Sequence, residues 1–284
     1  MSWARPLTRV TGKTENPPKT GGPENPPAGG ASSPAFELEG VFLSFWEKKV
    51  LRGMDLVLEK GGKLSLVGES SCGKSTVLKV IAGLLPPDSG TVRLFSEKLG
   101  DLSLGKLEKL RRGVGMQFQA GALFDSMSVR ENLVLAVSEG YRGRRRAPGK
   151  KTEEEIMSLL DRVGLKRAAS RNPAGLSGGM RKRAAIARAL IVRPELAMFD
   201  EPTAGLDPLT GGSIIKLLNE LAEDIGAAML LTTTDLDAAR RFSDDIAIMK
   251  DGVILARGTL EDHLNSPDPY LKKFTGRLAK LKKL

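Results

Sequence analysis

At 284 residues, with 40% hydrophobic and 27% charged content, the chain can bury a full core and form one large domain or two modest ones. No run approaches the roughly 18 apolar residues of a membrane-spanning helix, and the start lacks the basic, apolar and small-residue regions of a secretory signal. A single cysteine, Cys72, excludes an intrachain disulfide and fits a reducing compartment, and the net charge of +10 is concentrated in two patches at residues 141–151 and 270–284.

Residues 1–34 are rich in Pro, Gly, Thr, Asn and Ser (ENPPKTGGPENPPAGGASSP). Such a composition buries too little apolar area to offset ordering entropy and predicts a disordered tail. A transit peptide is the alternative, against which stand Glu15, Glu24 and the prolines.

From Phe36 short apolar runs follow, FELEGVFLSF, MDLVLE and LSLVG, separated by Gly or charged turns as strands are. After Gly73, KSTVLKVIAGLL carries apolar residues at helical spacing, so strand, glycine loop and helix come in order. Residues from about 119 to 193 read mainly as helices (VRENLVLAVSEG, EEEIMSLLDRVG, GGMRKRAAIARALIV). Strand ELAMFD, helix IIKLLNELAED, strand AAMLLTT and the pair DIAIMKDGVILARG complete an alternating pattern. The expected fold is α/β, with a helical insertion inside a mostly parallel sheet.

Gly68, Glu69, Ser70, Ser71, Cys72, Gly73, Lys74 and Ser75, followed by Thr76, match G-x-x-x-x-G-K-[ST]. Glycines let backbone amides wrap phosphates, the lysine neutralises them and the serine hydroxyl ligates magnesium. ELAMFDEP adds an apolar strand ending in Asp200, placed to hold Mg2+, then Glu201, placed to orient an attacking water. A structural acidic cap is the plainer reading of that pair, and the upstream phosphate loop argues against it.

LSGGMRKRAAIARAL opens a helix at Leu176, Ser177, Gly178 and Gly179. A serine hydroxyl and helix N-terminal amides form an anion site. In this position the segment resembles the signature of ABC ATPases, and the resemblance extends over about residues 36–275. It implies a phosphate-loop ABC core with an antiparallel β subdomain and a helical subdomain at about 119–193, the ATPase domain spanning 35–268. It also implies that Ser177, Gly178 and Gly179 contact the γ-phosphate of ATP held by a second, identical subunit. Gln119 resembles the Q-loop glutamine near the metal, Gly205, Leu206 and Asp207 the D-loop, and Phe45 or Trp46 the aromatic that stacks on adenine.

QAGALFDSMSVREN, DEPTAGLDPLT and SPDPYLKKF look like the ATPases of Mla-like, MCE-associated lipid transporters. That likeness implies a separate transmembrane permease, an MCE-type lipid-binding partner, and a position at the cytoplasmic face of the inner membrane. Other ABC importers or exporters, and soluble ATPases of iron–sulfur assembly or ribosomal function, are the alternatives. Nucleic acid is not expected, because the basic groups lack interleaved aromatics.

Two departures from the family pattern stand out. LLTTTDLDAA puts Thr234 where a switch histidine normally stands. Threonine is too short to reach the γ-phosphate as imidazole would, so slow hydrolysis is expected, with an ATP-gated clamp as the rival reading. Ser71 occupies a slot where many relatives have glycine, at some cost in backbone freedom. The one histidine, His263, reads as a surface residue, and Cys72 as a small residue filling the loop, with thiol activation by Lys74 the alternative.

In the tail, 269–284, Leu271, Phe274, Leu278 and Leu281 recur at spacings of three and four among Lys and Arg, an amphipathic basic helix. Docking on a second subunit is expected of it up to Phe274, with lipid binding or a frayed end the alternatives beyond. RGRRRAPGKK reads as an exposed, solubilising loop.

Overall fold

The computed structural model describes residues 33–140 and 150–281. The expected N-terminal tail, apart from its last two residues, and most of the basic patch at 141–151 lie outside them, as do the side chains of Leu278 and Leu281.

Two sheets build the core. The smaller is antiparallel and contains β1 (Pro34–Phe45), β2 (Lys48–Glu59), β4 (Ser89–Leu94) and β5 (Glu97–Lys98), in the order β2-β1-β4-β5. Along β1, Phe36, Leu38, Val41 and Leu43 are buried, and a register shift between Leu38 and Val41 lets buried positions continue past Gly40.

The larger sheet has six strands: β3 (Lys63–Gly68), β6 (Val114–Gln117), β7 (Leu196–Asp200), β8 (Ala228–Thr233), β9 (Asp245–Lys250) and β10 (Val253–Gly258). Their order is β10-β9-β3-β8-β7-β6, parallel except for the β9-β10 pair. Every residue of β7 and β8 is buried, which is why both segments read as continuous apolar runs rather than as alternation. β8 lies between β3 and β7, so Val67 pairs with Thr233 and Asp200 with Thr232. The carboxyl ends of three adjacent strands therefore converge on one edge, where parallel α/β sheets place ligands.

Helix α1 (Lys74–Ile81) follows β3 directly. Helix α2 (Leu104–Arg111), which the sequence reading passed over, precedes β6. It buries only Leu107, too little periodic signal to stand out. Between β6 and β7 come α3 (Val129–Gly140), α4 (Lys150–Arg162) and α5 (Gly178–Leu190). Their apolar faces join α6 (Pro208–Ile225) and one side of β7 and β8 in a shared core that contains Leu133, Leu160, Ile186, Phe199 and Leu218.

Helix α6 shows local consistency. Asp207 caps its amides at Leu209 and Thr210, Pro208 takes the first turn, and Gly226 ends it at φ 65°.

A third cluster gathers α7 (Leu236–Phe242), α8 (Leu260–Asn265) and α9 (Pro269–Leu281) around Ile246 and Ile248 of β9. Here two expectations change. Leu271 is buried, and Tyr270 and Phe274 pack beside it against the chain's own β9 and β10, so this face of the tail is spent on its own subunit. His263 is 1% exposed, not a surface residue, and its Nε2 lies 2.8 Å from Ile246 O. The packing of α8 against β9 brings that carbonyl within reach, a relation invisible in local sequence.

Candidate functional site: a phosphate cradle with its acids

The cradle begins where β3 ends. Gly68 is fixed by crowding, since a Cβ there would stand 2.4 Å from Met249 O and 2.8 Å from Cys72 Sγ. Gly73 has φ 115° and caps α1, whose first amides then point into the loop. Between them Glu69, Ser70 and Ser71 are exposed, and Ser71 holds φ 65°, a left-handed conformation that glycine adopts freely and serine does not. Cys72 is half-buried, and burial pushes its thiol pKa up, against the opposing pull of Lys74.

Lys74 is 5% exposed. Its ammonium donates to Gly68 O at 2.8 Å and Glu69 O at 3.1 Å, and pairs with Glu201 Oε1 at 3.2 Å. Glu201 follows β7 at φ 46°. Its amide is held by Thr232 O at 3.1 Å and Thr232 Oγ1 at 3.2 Å, and its Oε2 accepts from the Thr234 amide at 3.2 Å. Thr234 therefore orients the carboxylate through its main chain, while its side chain is exposed.

Ser75 Oγ donates to Asp200 Oδ1 at 3.0 Å, and Thr232 Oγ1 donates to the same oxygen at 2.7 Å. A hydroxyl and a carboxylate beside a phosphate cradle fit magnesium, which is commonly held by one or two protein oxygens, the substrate phosphates and water. No cluster of three or more His, Cys, Asp or Glu side chains suited to a metal occurs among the described residues.

Gln119 is not brought to this pair. Its side chain is exposed, and its carbonyl accepts from Lys182 Nζ at 2.7 Å. Lys182 also donates to Glu201 O at 3.1 Å, and burial lowers its pKa while Asp200 and Glu201 oppose the shift. Gln117, wholly buried at the end of β6, donates to Phe118 O at 2.5 Å and Asp200 O at 3.5 Å. Lys182, Thr232 and Gln117 escaped the sequence reading. Only the polar Gln117 inside the run VGMQF offered a signal.

Of the two candidate aromatics, Phe45 packs partly against the core, whereas Trp46 sits at the hairpin turn fully exposed, at φ 55°. Ser177 caps α5 by accepting from the Met180 amide at 3.3 Å. Ser177 and Gly178 are exposed and Gly179 half-buried, and none of the three is hydrogen-bonded to the phosphate loop among the described residues. Asp207 is exposed too, and its bonds to Thr210 hold its carboxyl below the usual carboxylate range.

A glycine loop that delivers a lysine to a buried glutamate, with serine and aspartate oxygens alongside, defines a phosphate-loop nucleoside triphosphatase. Residues 51–204 match the ABC transporter family, and the chain belongs to it as an ATP-binding ATPase. It is 34% identical to the intermembrane phospholipid transport system ATP-binding protein MlaF of Escherichia coli (strain K12), over 81% of this chain and 84% of the relative. It is 36% identical to the methionine import ATP-binding protein MetN of Ligilactobacillus salivarius (strain UCC118), over 84% of this chain and 69% of the relative. Among solved structures, the dimeric post-hydrolysis state of the ATP-binding cassette MJ0796 bound to ADP and Pi superposes with a TM-score of 0.72 and 33% identity. That match covers 79% of this chain and 98% of the other.

Proposed function

We propose that this chain is the motor of a lipid transporter, working as a pair of identical subunits beneath a separate permease at the cytoplasmic face of the inner membrane. The observation that carries the paired arrangement is the split site. Lys74, Ser75, Asp200 and Glu201 meet in one cradle, while Ser177 and Gly178 face solvent elsewhere on the chain. An exposed helix start with a serine suits a phosphate held by a second copy.

In this reading Lys74 and the amides of residues 68–76 hold the ATP phosphates, and Phe45 or Trp46 stacks on adenine. Ser75 and Asp200 would hold Mg2+, with Gln119 on the neighbouring loop as the further candidate ligand. Bound there, magnesium supplies charge neutralisation at the β- and γ-phosphates. Glu201, oriented by the Thr234 amide, takes the water's proton. Ser177, Gly178 and Gly179 complete the partner's site, and Asp207 lies beside the same junction.

Lipid as cargo is supported by the likeness to MlaF over most of both chains, and the same likeness suggests an MCE-type partner. Among the described residues no helix is long and apolar enough to cross a membrane. A groove of about 610 Å³ between the β6 edge, α3 and α5, lined by Met116, Phe124, Leu135, Ala136, Ala189 and Val192, offers apolar area for a permease to dock. The comparable identity to MetN supports a second reading, a motor for import of a small polar solute.

The test is the complex purified with its native membrane partners. ATP-dependent transfer of labelled phospholipid between vesicles, lost in Glu201→Gln, supports the first reading. ATP turnover stimulated only by a water-soluble solute supports the second.

A further inference from the structure

Three polar side chains, buried Gln117 and half-buried Lys182 and Arg188, tie the loop after β6 to its surroundings. Lys182 in α5 binds Gln119 O on one side and Glu201 O on the other, at 2.7 and 3.1 Å. Gln117 makes the neighbouring rung, from Phe118 O to Asp200 O. Arg188, on the same helix as Lys182, donates to Ala122 O. Consecutive carbonyls of the loop after β6, at 118 and 119, are thus tied to consecutive carbonyls at the end of β7, at 200 and 201.

We infer that Lys182 is a positioning residue for hydrolysis, joining the loop that carries Gln119 and the strand end that carries Glu201 to the helix that begins at Ser177. The inference rests on the motor reading above.

The geometry argues for this in three ways. First, Glu201 at φ 46° and Ala122 at φ 48° hold conformations that non-glycine residues keep only when their surroundings fix them. Lys182 and Arg188 each grip the carbonyl of one of these strained residues. Second, both cations are half-buried against carbonyl oxygens that they satisfy, and this partial burial lowers the pKa of each. The hydration a half-buried ammonium gives up is offset by its two main-chain bonds, which hold it between the loop and the strand end.

Third, Lys182 lies about one and a half turns from Ser177 on the same hydrogen-bonded helix, which couples the two positions mechanically. Displacement of the exposed Ser177 end by a phosphate on another subunit shifts Lys182, and with it the main chain of Glu201. One subunit's bound nucleotide then sets the aim of the other's glutamate through a contiguous physical link. Gln117 carries the same tie more weakly, since its bond to Asp200 O is 3.5 Å long.

Full-length Lys182→Met, Lys182→Arg and wild type, compared in steady-state hydrolysis, test the link. Lys182→Met is expected to lower kcat about 10- to 100-fold, the scale of a misplaced catalytic group, with KM for ATP nearly unchanged. Lys182→Arg, which keeps a cation with several donors, is expected to recover most of the rate. Wild-type kcat in Lys182→Met, or a loss that falls in KM alone, overturns the inference.

Amide hydrogen exchange over residues 118–122 and 201–204 reads the same tie without turnover. Faster exchange in both segments of Lys182→Met, and protection restored in Lys182→Arg, is expected. Unchanged exchange overturns it, as does equal loosening in both variants. The motor reading fails by a different result, namely Glu201→Gln hydrolysing ATP at the wild-type rate.

Discussion

Lys74 Nζ stands 3.2 Å from Glu201 Oε1, with both side chains nearly out of solvent at 5% and 11% exposure. The ammonium expected to meet the ATP phosphates is therefore already paired with the carboxylate expected to activate water. Phosphate entry has to compete with Glu201 for Lys74, and breaking a pair so buried costs several kcal/mol unless a new anion replaces it.

It follows that Glu201→Gln acts on two quantities at once. Hydrolysis is expected to fall by about 100-fold or more as the water loses its base. Affinity for ATP is expected to rise several-fold, because a neutral amide releases the lysine. Equilibrium binding of a fluorescent ATP analogue, measured beside turnover, checks both. Binding weaker than in wild type contradicts the competition.

Thr234→His should raise kcat by up to about tenfold, with little change in KM. The main-chain amide that orients Glu201 is present whatever the side chain. An imidazole adds reach toward the γ-phosphate that threonine lacks. A slower His variant would mean that the site is built around threonine.

Ser71→Gly sets two effects against each other. Relieving φ 65° on a non-glycine residue gains about 1–2 kcal/mol, and the more flexible unfolded chain costs about 0.4–1 kcal/mol. A net gain of about 0.5–1 kcal/mol is expected, read as a higher midpoint in urea, with ATP binding retained.

Cys72 should react slowly with iodoacetamide at pH 7. Its pKa is raised by burial, so the thiol stays protonated at neutral pH and the reactive thiolate appears only above the ordinary cysteine range. Alkylation rates from pH 7 to 10 check this. A rate that plateaus below pH 8 would point instead to an activated thiol.

His263→Ala removes a buried ring and strands Ile246 O in the core. A loss of about 1–3 kcal/mol in unfolding free energy is expected, with turnover per folded molecule unaffected, since the ring, carried on α8, bonds to β9 and to no residue of the phosphate cradle among those described. A histidine on the surface would cost almost nothing.

The amino-acid order by itself determined the phosphate loop, the acids of β7, the helix start at Ser177 and the alternation of strands and helices. Each of these depends on residues a few positions apart, where spacing and backbone preference act directly. Tertiary structure decided the rest. Only the strand order β3-β8-β7 brings Thr232 and Thr234 between the loop and its acids. Lys182 meets Gln119 across 63 positions and Glu201 across 19, and His263 meets Ile246 across 17. Those contacts follow from which helices pack against which strands, a property set by the burial of whole elements and carried by no local pattern of residues.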